Sequence, residues 1–185
     1  MKDWLPKKIS INLIVTVVKL KELYEEVTQP YVIYCDMDGV LVDFHKRFEG
    51  ISGGLTPNQY RKEHGMKGFW DIIKKDGVGF WAGMSWMPDG KKLWNFIKPY
   101  KPTLLSAPSI EKDSRLGKRL WVRNNLPGVK LILASKDKKP NYSGPNHILI
   151  DDYEPTIDLW KAQGGIGILH TSANSTIEEL KKLGL

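Results

Sequence analysis

Two close pairs of carboxylates, Asp36/Asp38 and Asp151/Asp152, are the residues of this chain best suited to chemistry. Each pair follows an apolar run, Tyr31-Val32-Ile33-Tyr34-Cys35 before the first and His147-Ile148-Leu149-Ile150 before the second. A hydroxyl, Ser106, follows Pro102-Thr103-Leu104-Leu105, and lysines 136, 138 and 139 follow Val129-Lys130-Leu131-Ile132-Leu133. Several carboxylates converging on one point repel unless a cation neutralises them. Hard oxygen ligands with no His or Cys among them favour magnesium over zinc. Magnesium held by carboxylates keeps waters and shares a substrate phosphate, and a lysine with a hydroxyl can hold the remaining phosphoryl oxygens. One carboxylate can attack phosphorus to give an acyl-phosphate that water then hydrolyses. A second, two residues on, can protonate the leaving oxygen and later activate the water. Gly39 lets the chain turn tightly past the first pair.

These residues need a scaffold that brings run ends together. The four apolar runs, with a fifth at Ile166-Gly167-Ile168-Leu169-His170, read as short buried strands. Helical apolar spacing occupies 91–97, 114–125, 156–163 and 175–183 between and after them. Alternating strands and helices predict an α/β fold with a parallel sheet covered on both faces. In such a sheet, ligands bind outside the carboxyl ends of the strands, where these polar residues fall. Residues 45–88, rich in Gly, Phe and Trp, carry no strand-like run and are expected to form an insertion of short helices and loops. The predicted organisation is an N-terminal segment 1–30, with a helix over 13–28 packed on the core, a core of 31–44 and 89–185, and a small cap over 45–88.

The 185 residues suit one domain with a small insertion. A hydrophobic share of 41% is that of a globular chain. The single cysteine, Cys35, cannot form an internal disulfide, so a reducing, cytoplasmic setting is expected. Ile9 to Leu20 is too short and polar to span a bilayer, and no small-residue cleavage site follows it. A net charge of +7 suits a solvated surface or a phosphate-bearing ligand, but the lysines are dispersed and do not select nucleic acid. His45, His64, His147 and His170 lack metal-ligand spacing.

The segment Asp36-Met37-Asp38-Gly39-Val40-Leu41 resembles the first motif of the haloacid dehalogenase superfamily of phosphohydrolases, Asp-x-Asp-Gly-(Val/Thr)-Leu after an apolar strand. Ser106 resembles its second motif and Ile150-Asp151-Asp152 its fourth. Within the superfamily the chain looks most like the 5′(3′)-deoxyribonucleotidases. Asp36 to Phe44 follows their Asp-Met-Asp-Gly-Val-Leu-x-Asp-Phe, and Ser106-Ala107-Pro108 stands where they carry Thr-Ser-Pro. Lys118 to Val122 resembles their Lys-x-x-Trp-Val helix, and Ser135-Lys136-Asp137-Lys138 their Arg-Asp-Lys segment.

That resemblance, which covers about residues 31–170, implies a Rossmann-like core with a helical cap after the first strand. It implies Asp36 as nucleophile and Asp38 as general acid and base. Ser106, Ala107 and Lys138 would bind phosphate; Asp36, Asp38 (through its carbonyl), Asp151 and Asp152 would place Mg2+. Phe44, with Trp70 and Trp81, would stack on the base, although Trp70, Phe80, Trp81 and Trp86 read equally well as cap core. Arg115 and Lys118 are further candidates near Ser106, while Lys136 and Lys139 are expected to be solvated. A nucleotide is the expected partner, with a polynucleotide end or another small phosphorylated metabolite as the alternative substrate. No membrane partner is expected, and a homodimer is left open. A receiver-like phospho-acceptor would place its Asp after a middle strand, and a DNA-binding protein would not need this set intact.

Overall fold

The computed structural model describes residues 31–185. The expected segment 1–30, with its helix over 13–28, lies outside the described residues. In chain order the elements are β1 (Val32–Cys35), β2 (Val42–Asp43), α1 (Phe44–Ile51), α2 (Pro57–Asp76), α3 (Val78–Ala82), β3 (Ser85–Trp86), α4 (Gly90–Ile97), β4 (Thr103–Ser106), α5 (Lys112–Asn125), β5 (Leu131–Leu133), β6 (His147–Asp151), α6 (Glu154–Ala162), β7 (Ile166–Leu169) and α7 (Ala173–Lys182). Short 3-10 turns cover Lys98–Tyr100 and Lys136–Tyr142.

All five expected strands form, in one parallel sheet of order β5-β4-β1-β6-β7. Apolar runs with almost no exposed residue, such as β6, are what a sheet buried on both faces requires. Under one face, Leu105, Ala134, Leu149, Ile157 and Trp160 form a core cluster that Tyr34 and Tyr142 complete. Trp160 fits because its indole N–H donates to the His147 carbonyl at 3.1 Å.

The order fixes the place of the site. β1 is central, with β4 on one side and β6 on the other. Connections leave β1 towards β4 and β6 towards β7, in opposite directions. That divergence opens a crevice past the carboxyl ends of β1 and β6. The backbone N–H of Asp36 donates to the Ile150 carbonyl at 2.9 Å, which holds the two acidic run ends side by side.

The insertion differs in detail from its expectation. It is closed at its base by a two-strand antiparallel ladder, β2 with β3, that pairs Val42 with Trp86 and Asp43 with Ser85. It also contains a 20-residue helical stretch, α2, kinked at Gly65, where φ is 69°. Local chemistry explains its start: Thr56 and Gln59 form a reciprocal capping box before Pro57. Asp43 caps α1 by accepting from the Lys46 N–H at 2.9 Å. Inside, Phe44, Phe48, Phe69, Phe80 and Trp81 meet ring on ring. No helix among the described residues is long and apolar enough to cross a membrane.

Candidate active site

Asp36 is the first residue past β1 and is buried. After it, the N–H groups of Leu41 and Val42 both return to the Met37 carbonyl at 2.8 Å, and Gly39 donates to Val42 at 2.9 Å. This tight loop returns Asp38 to the crevice. Gly39 has φ +76°, and a Cβ there would lie 2.1 Å from Asp152 Oδ2. The position thus needs glycine twice over, for its backbone and for the carboxylate beside it.

Lys139 Nζ lies 2.6 Å from Asp151 Oδ2 and 3.1 Å from Asp36 Oδ1. The first contact is a hydrogen bond; the second is an ion pair without hydrogen-bond alignment, because Asp36 Oδ1 has no aligned donor. Burial disfavours the Lys139 ammonium, but the charges of Asp36 and Asp151 outweigh it and its pKa is raised. The other Asp151 oxygen accepts from the Tyr153 N–H at 2.9 Å.

A second buried ammonium lies on the opposite side. Lys118, from α5, has no exposed surface. It donates to Asp38 Oδ2 and, at 2.8 Å, to Ser106 Oγ at the end of β4. Asp38 Oδ1 is buried without a partner.

Burial comes first among the causes that raise the pKa values of Asp38, Asp151 and Asp152. Asp152 reaches about 6, raised first by its partial burial and then by the charges of Asp36 and Asp151 beside it. Lys118 pulls against the rise at Asp38, and Lys139 against that at Asp151. Burial and the neighbouring Asp36 likewise push the Cys35 thiol up, so it remains a protonated, unreactive thiol.

Asp36, Asp151 and Asp152 each offer an oxygen within 4.8 Å of the others. Three carboxylates, no soft ligand and a buried oxygen without an aligned donor fit a hard divalent cation. The Asp38 carboxylate is outside this group, because Lys118 engages it.

Asp36, Asp38, Asp151 and Asp152 open into a cavity of about 520 Å³. Beyond the carboxylates its walls include Phe44, His45, Met87, Ala107, Lys136 and Tyr153. The Lys136 ammonium sits 3.7 Å from the Tyr153 ring centroid.

Asp36, Asp38, Asp151 and Asp152 are therefore brought together on one cavity with Ala107 and Phe44, while Ser106 is fully buried behind that wall and is joined to Asp38 through Lys118. Lys138 is not among them: its side chain is 65% exposed, and its ion partner is Asp137 at 3.9 Å. The buried lysine is Lys139, against the expectation that it is solvated. Both lie on the 3-10 turn Lys136–Tyr142, where successive residues point about 120° apart. Residues three apart share a face, so Lys139 aligns with Tyr142, which packs against the core. That spacing was the available signal. Trp70 and Trp81 do not line the cavity. Trp70 lies against Phe69, and Trp81 is buried beside Lys118. Lys118 was only a secondary candidate in the sequence.

No protein-family model matches the chain, and no curated protein matches it. Solved structures do. A hydrolase from Streptococcus pneumoniae TIGR4 aligns over 83% of this chain and 100% of its own, with a TM-score of 0.56 and 14% identity. A candidate beta-phosphoglucomutase from Thermotoga maritima aligns over 82% of this chain and 99% of its own, with a TM-score of 0.50 and 14% identity. At such identity the likeness establishes the fold alone, a Rossmann-like α/β architecture.

Proposed function

We propose that the chain is a magnesium-dependent phosphatase of the haloacid dehalogenase type that hydrolyses nucleoside monophosphates, preferably deoxyribonucleotides, through an aspartyl-phosphate on Asp36. The observation that carries this reading is the Asp36 carboxylate at the end of the central strand. One of its oxygens has no aligned donor, and it faces a cavity shared with Asp38, Asp151 and Asp152.

Asp36 attacks phosphorus, and the bond to the leaving oxygen breaks as Asp38 protonates that oxygen. Asp38, now a carboxylate, takes a proton from water as the water attacks the phosphorus of the acyl-phosphate. Phosphate then leaves and Asp36 is regenerated. Ser106 Oγ already accepts from Lys118, so its own hydrogen is free to donate to a phosphoryl oxygen. Lys139 offsets charge on the attacking side. Mg2+ would be held by Asp36, Asp151 and Asp152, with the Asp38 carbonyl that the resemblance implies, and it would neutralise phosphoryl charge. Phe44 supports the nucleotide preference, because it is an aromatic wall of the same cavity.

Asp36→Asn is expected to lower magnesium-dependent turnover by about 10⁴-fold or more with little change in thermal stability. Substantial residual activity would refute the aspartyl-phosphate. A panel of 5′- and 3′-monophosphates of ribo- and deoxyribonucleosides, set against a 3′-phosphorylated oligonucleotide, tests the substrate. Preference for the oligonucleotide would replace the mononucleotide reading with a polynucleotide-end one.

A further inference from the structure

We propose that Lys118, backed by Trp81, is a positioning residue that fixes Asp38 for proton transfer to the leaving group. The inference rests on the phosphatase reading above and adds to it a division of labour between the two buried lysines.

Lys118 has three N–H bonds and no exposed surface. Asp38 Oδ2 takes one and Ser106 Oγ another. The ammonium also lies 5.6 Å from the Trp81 ring centroid, within the range at which a ring face attracts a cation. Trp81 belongs to the insertion and is 4% exposed, so it touches Lys118 and not the cavity. The close fit of α3 on α5 depends on Gly117, next to Lys118. A Cβ at 117 would lie 2.4 Å from Trp81 Cβ and 2.8 Å from the Val78 carbonyl oxygen. The insertion therefore presses on the core at the residue beside this lysine.

The consequence falls on one carboxylate. With Oδ2 held by Lys118, the Asp38 carboxylate cannot turn without breaking that contact. Asp38 lines the cavity, so the orientation in which Lys118 holds its carboxylate is the one that meets the leaving group. Lys118 thereby fixes how Asp38 meets the leaving group, and Trp81 holds Lys118 where it can do so. Lys139 makes no hydrogen bond to Asp38; it serves Asp36 and Asp151. Loss of Lys118 should therefore harm protonation of the leaving group more than attack on phosphorus.

The leaving group tests this directly. A nucleoside monophosphate expels an alkoxide-like oxygen that needs a proton, whereas p-nitrophenyl phosphate expels a stable phenolate. kcat/KM covers the steps through departure of that group if its departure is irreversible. Lys118→Met should lower kcat/KM about 10²-fold or more for a deoxyribonucleoside 5′-monophosphate, and at least ten-fold less for p-nitrophenyl phosphate. Trp81→Leu should shift the same ratio in the same direction by less, and Trp81→Phe, which keeps a ring face, should restore it. The ratio is read on one preparation and does not depend on the fraction folded, so a destabilised variant still decides the matter. Equal losses on both esters in Lys118→Met and Trp81→Leu would overturn the positioning role. Wild-type protein without magnesium-dependent activity on either ester would instead remove the phosphatase reading, and this inference with it.

Discussion

The crevice at the carboxyl edge of the sheet and the helical insertion between β2 and β3 fix their side chains by opposite means. The crevice uses charge: Lys139 lies between Asp36 and Asp151, and Lys118 between Asp38 and Ser106. The insertion uses rings: Phe48 stacks on Phe69 with centroids 4.8 Å apart, and Phe80 meets Trp81 edge-on at 5.0 Å. Charged hydrogen bonds have direction and place individual atoms. Ring contacts are broad and fill volume. Damage to the crevice should therefore cost chemistry first, and damage to the insertion should cost stability first.

Lys139 against Lys138 gives the largest expected contrast. Lys139→Met strips Asp36 and Asp151 of their shared counter-charge. Activity should fall about 10²-fold or more, and magnesium-free stability should fall by about 3–5 kcal/mol, because buried charge is left unpaired. Lys138→Met removes an exposed ammonium and should leave activity within about two-fold and stability within about 0.5 kcal/mol. Steady-state assays and urea melts on both variants decide it. Comparable losses would mean that the buried contacts of Lys139 do not matter.

That pair also marks where the sequence stops being legible. The five strands were readable, since a buried parallel strand leaves a short apolar run and its end is where polarity returns. Asp36, Ser106 and Asp151 followed with no further information, because each sits at such an end. Lys138 did not, because a one-residue offset on a 3-10 turn swings a side chain by about 120° and all three lysines there have the same composition signal. The β2–β3 ladder has two residues per strand, too few for alternation to register. The insertion was least legible. Its aromatics have no apolar-polar contrast, so which ring is core (Phe48, Trp81), which is half exposed (Trp70) and which faces the cavity (Phe44) depends on tertiary packing.

Among the rings the contrast can be sharpened. Phe48 has no exposed surface, and Phe48→Ala should cost about 3–5 kcal/mol of stability while each folded molecule retains its kcat. Phe44→Ala should instead raise KM for nucleotides by about ten-fold, the lower part of the range for losing one stacked base, with kcat little changed. Trp70→Ala should leave KM alone, since Trp70 does not line the cavity. A KM shift in Trp70→Ala equal to that in Phe44→Ala would restore Trp70 as a base-binding residue.

Gly39→Ala probes the crevice through its backbone. The new Cβ would fall 2.1 Å from Asp152 Oδ2, and the backbone holds φ at +76°. Strain should cost about 1 kcal/mol. Asp152 must also move, so the magnesium concentration for half-maximal activity should rise about ten-fold. An unchanged magnesium titration in a folded Gly39→Ala protein would take Asp152 out of the metal group.

The smallest effect lies just outside both regions. His170 is buried, and its Nδ1 is 2.8 Å from Thr176 Oγ1. Burial lowers its pKa from the ordinary value of 6.5, only partly opposed by Asp89. At high pH the ring is neutral in both folded and unfolded chains and contributes no pH dependence. As pH falls through about 6.5, the unfolded chain takes up a proton that the folded chain still refuses. Stability must therefore drop between that value and the lower folded one, and below both no further loss comes from this ring. Wild-type and His170→Gln proteins melted in urea at pH 7.5 and at pH 5.5 isolate the contribution. The carboxylates affect both proteins alike, so the wild type should lose more stability than the variant over that interval. Equal losses would show that the ring takes its proton as readily when folded as when unfolded.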